Sequence, residues 1–421
     1  MDISPNLRVA KVASGLLLCV FGSNLAANEN AVLYPGNLNS PVENVLQSVS
    51  ESSPQRAFGQ LIEDACPGTI IPANQFDLDP NGDLKQRCDE MWGNALIGND
   101  IPGVTSGLQG TANEEDSALA STEVDVGSTA TTKIQSRMNT VRGGATSGLG
   151  LTLNGLNGKF DDALSSALGA GDGTGSGWGG FFAGTYTNAD RDSTDRESGY
   201  NTDMWGVTGG VDYSWSQNLL LGVTFSYNEA ESDISSNGGD LESDTWGVYG
   251  YGTYYPSSGT YIDYTIGYSE SSHDQNRNIN YSIQQISLAT LATTGPISLP
   301  GITTVNQVAS SDTDSNEFSV SGTIGHDWRS ESVTYGPYIG ISYADTEIDG
   351  FSERMSNPTA AGSGLALFVD DQDVESLTTK LGGAATFTWQ GPWGPVFPYL
   401  MAEYSHEYKN STDPITGGLI N

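Results

Sequence analysis

The chain has 421 residues, 51 of them acidic and 16 basic, for a formal net charge of -35. Phosphate recognition rests on Lys and Arg, so this balance argues against nucleic acid as a partner. Fifty-three glycines, 19 tyrosines and 8 tryptophans favour short strands and turns, and no stretch approaches the ~20 apolar residues of a helical membrane span; a crossing would need a closed barrel, which satisfies its strands' hydrogen bonds internally.

Residues 1–27 read as a secretion signal. Arg8 and Lys11 precede the apolar run from Val12 to Phe21, and small residues ending at Ala27 lead into polar sequence. Cys19 lies inside the apolar run without the small residue that a lipid-anchored signal places before its cysteine. Residues 28–110 read as a small, mostly helical module. Val42, Val45, Leu46 and Val49, then Phe58, Leu61 and Ile62, recur at helical spacing, and NGDLKQRCDEMWGNAL predicts another helix with Asp83 as its N-cap. Cys66 and Cys88 are an even pair in an exported chain, read as a disulfide closing a loop of about twenty residues and worth ~3 kcal/mol by loop entropy; two free thiols are the alternative. DLDPNGD spaces Asp77, Asp79, Asn81 and Asp83 like the first half of a calcium loop. Cys88 stands where the bidentate Glu belongs and Pro80 stiffens the loop, so an Asx-rich turn capping a helix is the better reading.

Residues 111–177 read as acidic and Gly-rich linkers around one helix near 131–143, which gathers Lys133, Arg137 and Arg142. From Trp178 the pattern changes to period two. In GGVDYSWSQNLLLGVTFSYNEAESD, Val211, Tyr213 and Trp215, then Leu219, Leu221, Val223, Phe225 and Tyr227, alternate with small and polar residues, which builds a strand with one apolar face. About nine strands are predicted, near 178–188, 202–216, 218–230, 243–256, 259–271, 315–329, 332–345, 375–390 and 395–409, close to the ~9–11 residues that a tilted membrane strand needs. SQN, PSSG, RSES and QGPWGP are tight turns, whereas 189–200, 231–242, 272–314 and 346–374 read as long acidic loops. Short turns on one rim and long loops on the other mark an outer-membrane barrel.

Tyr213, Trp215, Tyr254, Tyr255, Trp328 and Trp389 fall beside the short turns, and Tyr227, Tyr268, Tyr343, Tyr404 and Tyr408 near the other strand ends, as two interfacial girdles would require. The alternation turns Asp212, Asp263, Glu317, Asp327, Lys380, Glu403 and Glu407 inward. Ionised groups in a dry sandwich core would cost several kcal/mol each; a wet lumen, or one threaded by the basic segment carrying Lys133, Arg137 and Arg142, accepts them.

WGGFFAGTYTNADRD, GYNTDMWGVTGGVDYSWSQNLLLGVTFSYNEAESDI, YGTYYP, YGPYIGISYADTEIDGFSE and DDQDVESLTTKLGG resemble the translocator β-domain of autotransporters, the type V secretion proteins, over roughly Trp178 to Asn410. The resemblance implies an antiparallel barrel of about twelve strands in a Gram-negative outer membrane, set in lipid and lipopolysaccharide. It further implies insertion by the outer-membrane assembly machinery and a pore helix continuing to a passenger outside the cell. The family closes its barrel with strands beyond EYSHEYKN and an aromatic C-terminus, so 178–421 is expected to be an incomplete barrel, with about nine of twelve strands. Only a short passenger precedes it, without β-helix repeats or the GDSL motif of some relatives, and no Asn-Asn pair offers the family's route to self-cleavage.

A Ser-His-Asp site needs a histidine, and His273, His326 and His406 all fall in the barrel region. No G-x-S-x-G, H-E-x-x-H or phosphate-loop motif occurs. The expectation is a translocator with no cofactor and no enzymatic activity that anchors or exports its own N-terminal segment. The alternatives are a surface adhesin whose long loops contact host or matrix ligands, and a porin-like channel.

Overall fold

The computed structural model describes residues 45–65, 82–112, 115–142, 147–155, 177–193, 199–235, 239–287, 297–391, 394–396, 399–412 and 416–420; the signal segment, Cys66, Asp77, Asp79 and Asn81 lie outside them. Nine long strands follow one another in an antiparallel meander that curls into a half-barrel. They are β2 (Trp178–Arg191), β3 (Tyr200–Ser216), β4 (Leu219–Ile234), β5 (Asp240–Ser257), β6 (Thr260–Ser287), β7 (Ile297–His326), β8 (Val333–Ile348), β9 (Gln372–Phe387) and β10 (Tyr399–Thr412). A further strand, β1 (Ser147–Gly155), runs parallel to β2 at one edge, and β10 is the other edge of the path.

The face chosen by each side chain follows from alternation, and here it is inverted relative to a water-soluble sheet. Val211, Val223 and Phe225 are each more than half exposed on the outer face, as are Ile266, Ile339 and Ile341. Thr208, Thr224, Ser226 and Thr253 are buried on the inner face. Because the period is two, a slip of one residue would exchange the faces; the ladder holds Val211 opposite Val223 and Val223 opposite Gly250, keeping the apolar set together. Inside, glycines make room for tyrosine rings lying across neighbouring strands: a Cβ at Gly222 would collide with Tyr251, and one at Gly325 with Tyr261.

Aromatic residues mark both rims. Trp178 stacks on Tyr213 with ring centroids 4.9 Å apart, and Trp328 sits 5.8 Å from Tyr335 at the same end. At the opposite end Trp205 meets Tyr227 at 5.7 Å, with Trp246 and Tyr268 exposed on the following strands. Residues 205 to 215 of β3 join the two belts, roughly 34 Å of strand, or about 25 Å of height once tilted, which is the apolar band of an outer-membrane barrel.

Several segments depart from the sequence-based expectation. Two of the expected acidic loops, 231–242 and 272–314, are largely strand where described: β4 continues to Ile234, β5 begins at Asp240, and β6 and β7 run 28 and 30 residues. At ~3.3 Å per residue each of the last two spans roughly 90 Å, so their distal parts form a hairpin rising well beyond the aromatic belt. The stretch 111–177, expected to be linker with a helix only near 131–143, instead holds the 28-residue helix α5 (Glu115–Arg142) and the strand β1. Asp83 is not an N-cap: Gly82 caps its helix at φ 66°, and Asp83 is the first helical residue. Its carboxylate accepts instead from the backbone N–H groups of Gly362 and Gly364, at 3.0 Å each.

Before α5 come α1 (Val45–Val49), α2 (Ser53–Ala65), α3 (Asp83–Ile97) and α4 (Ile101–Thr111). Asp100 caps α4 by accepting from Gly103 N. Gly98 ends α3 in the left-handed conformation at φ 63°, its N–H bonded to Ala95 O. Cys88 on α3 is disulfide-bonded. These helices share one core with the distal hairpin and with residues of the β8–β9 connection, where Val369 and Leu367 pair with the short strand Gly417–Leu419.

Candidate functional site

The inner face of the sheet wraps α5, and the helix is held along its length by different chemistry at each level. At the long-hairpin end, Leu119 is fully buried among Tyr200, Ile234, Leu241, Ile348 and Val374, contributed by the ends of β3, β4, β5, β8 and β9. Midway, Ala130, Ile134 and Met138 pack on Leu220, Tyr249 and Tyr251. Toward the short-turn end the contacts become ionic. Arg137 makes a two-pronged pair with Asp212, Nε to Oδ2 at 2.8 Å and Nη2 to Oδ1 at 3.1 Å. The Tyr251 hydroxyl donates to the same carboxylate at 2.9 Å.

One turn further, Arg142 reaches Asp263 at 2.6 Å and Asp327 at 3.4 Å, its guanidinium 3.7 Å from the centre of the Tyr261 ring. Gln135 adds a bond to Asp263 at 3.2 Å. Arg329, in the turn expected from RSES, donates to the Arg142 carbonyl at 2.7 Å, placing a cation at the negative end of the helix. Lys133 is buried in the same lumen. Isolated charges this deep would not persist; Arg137 and Arg142, paired with Asp212, Asp263 and Asp327, fix the rotation and height of the helix.

The charged residues that alternation predicts to face the lumen fall in different places. Asp212, Asp263 and Asp327 meet the helix. Glu317, Lys380 and Glu403 line the far wall of a cleft of about 150 Å³ between α5 and strands β7 to β10. There Lys380 lies 3.7 Å from Glu403, which also accepts from the Tyr338 hydroxyl at 2.7 Å. Glu407 accepts from Ser376 at 2.7 Å. Alternation could not reveal Leu119, Tyr251 or Arg329, because each gains its role only from the height at which the helix stops.

Other reactive side chains serve the wall itself. His273 bridges Ser243 at 2.8 Å and Ser315 at 3.1 Å across three neighbouring strands, and His326 meets Thr260 at 3.0 Å. Among the described residues, no group of three or more His, Cys, Asp or Glu is placed to hold a metal ion. Asp83, the described member of the calcium-like motif, spends its carboxylate on backbone N–H groups and on Arg87, 3.3 Å away.

A profile of the family described as autotransporter beta-domain matches residues 177–421. No curated protein matches the chain. Among solved structures, the β-domain of the Bordetella autotransporter BrkA is 20% identical with a TM-score of 0.36, covering 55% of this chain and 81% of that one. The translocator domain of autotransporter NalP from Neisseria meningitidis is 11% identical, also at 0.36, covering 56% and 85%. The outer membrane transporter YddB from Escherichia coli is 12% identical at 0.26, covering 55% and 32%. Scores of this size carry no weight alone, and family membership rests on the profile.

Proposed function

The chain belongs to the autotransporter β-domain family, and from that premise we propose that this outer-membrane translocator carries its own N-terminal helical module through the lumen and holds it at the cell surface. One observation carries the reading: α5 enters the lumen at the short-turn rim, where Arg142 is held, and leaves it at Leu119, on the side of the long hairpin. Short turns face the periplasm in bacterial barrels and long connections face outward, so the module that precedes α5 lies outside. On this reading the outer strand faces contact lipid, the upper rim meets lipopolysaccharide, and the barrel assembly machinery inserts the sheet. No enzymatic activity is assigned to the chain.

A protease-cleavable tag near Asn28 tests the reading in intact cells. Cleavage by externally added protease is expected; a tag cut only after the outer membrane is broken would overturn it. A binding role is favoured by a different observation, the outward face of the distal hairpin, where Asn280 stands opposite Asn306, both exposed, with Asn276 and Asn278 half-buried beside them. Such a row presents donors and acceptors to a host or matrix ligand.

A further inference from the structure

We infer that the distal β6–β7 hairpin is the template on which the N-terminal module folds, so that the module completes its core only when it meets this part of its own barrel. The inference rests on the reading of α5 as the export path.

The four helices α1–α4 are short, and a chain segment of this size buries too little surface to be secure alone. Their core is finished from outside. Ile279, Tyr281, Ile283, Val305 and Ala309 of the hairpin interleave with the helical residues, and Leu365 and Leu367 of the β8–β9 connection close the rim. The sequence of α4 shows what the contact requires. IPGVTSGLQGT contains three glycines and a proline, a poor helix in isolation. Those glycines lie close to the hairpin: a Cβ at Gly103 would meet Asp100 and lie 3.0 Å from Ser282 O, one at Gly107 would lie 3.0 Å from Met91 and 3.4 Å from the Tyr281 ring, and one at Gly110 would meet the hairpin alone, 3.4 Å from Asn280 N. The helix lays its backbone directly on the strand, and side chains larger than a methyl at 107 and 110 would hold it off.

The polar groups are shared in the same way. Gln284 N donates to Asp100 Oδ2 at 2.8 Å, and Gln284 O accepts from Asn94 Nδ2 at 2.7 Å. The Thr303 hydroxyl donates to the buried Glu90 carboxyl at 2.5 Å. Arg277, 1% exposed, donates to Thr111 O at 2.8 Å while gripping Glu353 with two nitrogens. Without the hairpin, Glu90, Asn94 and Asp100 lose partners together with the apolar floor beneath them. An unfinished module stays extended, as passage through a lumen wide enough for one helix demands, and folding on the hairpin then prevents its return.

The test uses the full chain refolded in detergent, so its outcome does not depend on which side of the membrane the module occupies. In one variant residues 278–308 are replaced by an Asn-Gly turn joining the facing pair Arg277 and Ala309; a second carries Gly110→Leu alone, at the glycine whose near neighbours all belong to the hairpin. Barrel assembly is read by heat-modifiable migration and module folding by limited proteolysis of α1–α4. Both variants are expected to keep the parent chain's heat-modifiable migration, with the module cut at least ten times faster than in the parent chain. Cutting at the parental rate in an assembled hairpin-trimmed barrel would overturn the inference. If trimming prevents assembly, Gly110→Leu decides alone by the same criterion. A fast-cut module combined with a tag protected in cells would sink the export reading and leave the template standing.

Discussion

Arg137 and Asp212 are each about 2–3% exposed in their side chains, and their pair is the best-shaped contact between α5 and the wall. Removing one member leaves the other charged and buried, which costs ~3–5 kcal/mol, whereas removing both costs far less. Arg137→Ala should therefore lower the urea midpoint of the detergent-folded chain markedly, and adding Asp212→Ala should restore most of it. Equal midpoints for the parent and Arg137→Ala would show that the pair does not hold the helix. Glu90, in the module and outside the membrane, gives a pH signature. Burial raises its carboxyl above the ordinary 4.5, while the Thr303 hydroxyl and the Arg87 guanidinium pull it back. A raised folded pKa means that the folded module keeps a proton that the unfolded one releases, so stability is complete below about 4.5 and falls as pH rises through the folded value. Protease resistance of α1–α4 should decline over that interval, and Glu90→Gln should flatten the decline. That acids would face a basic helix was legible, because the chain has so few basic residues. Which acid meets which base was not, since it depends on the height of a helix threaded through strands distant in sequence.

For the strands, the outer face sets the expected costs. Val223 lies midway along β4 between the short turn at Leu219 and the belt at Tyr227, and is 56% exposed to what must be hydrocarbon. Val223→Arg should destabilise the lipid-inserted chain by about 2–4 kcal/mol in urea titration, as for a cation near the bilayer midplane. The same substitution at Trp215, on the aromatic rim, should cost about 1 kcal/mol or less; comparable losses at both sites would argue against a membrane around β4. The positions of all nine strands could be read from alternation, yet their outer ends could not. Beyond the belt the inward set includes His273, Gln275 and Arg277, and apolar residues return only at Ile279, Tyr281 and Ile283. Those three face helices rather than a lumen, and in sequence the segment resembles a polar loop. The helix α4 was hidden for a related reason, since its glycines serve packing against a strand and weaken the local helical signal.

For the molecule as a whole, the question left by the sequence was whether the apolar side of the sheet meets lipid or a second protein layer. Sheet sandwiches cover such faces with their own residues; here Leu221, Val223 and Ile266 are 39%, 56% and 51% exposed, and the helices among the described residues lie in the lumen or on the distal hairpin. Fully covering a side chain of this size is worth ~1.5–3 kcal/mol, and the uncovered set extends around nine strands, far beyond the apolar patches that soluble monomers tolerate. A net charge of -35 does not relieve this, because charge opposes association only where it faces water and the acidic residues cluster beyond the belt. The purified chain should therefore remain monodisperse in detergent micelles or lipid nanodiscs and aggregate on transfer to plain buffer, as read by light scattering. A compact monomer in buffer, with proteolysis unchanged along β4 and β6, would mean that something in the chain shields those faces, and the lumen, the helix within it and the export path would all lose their physical basis.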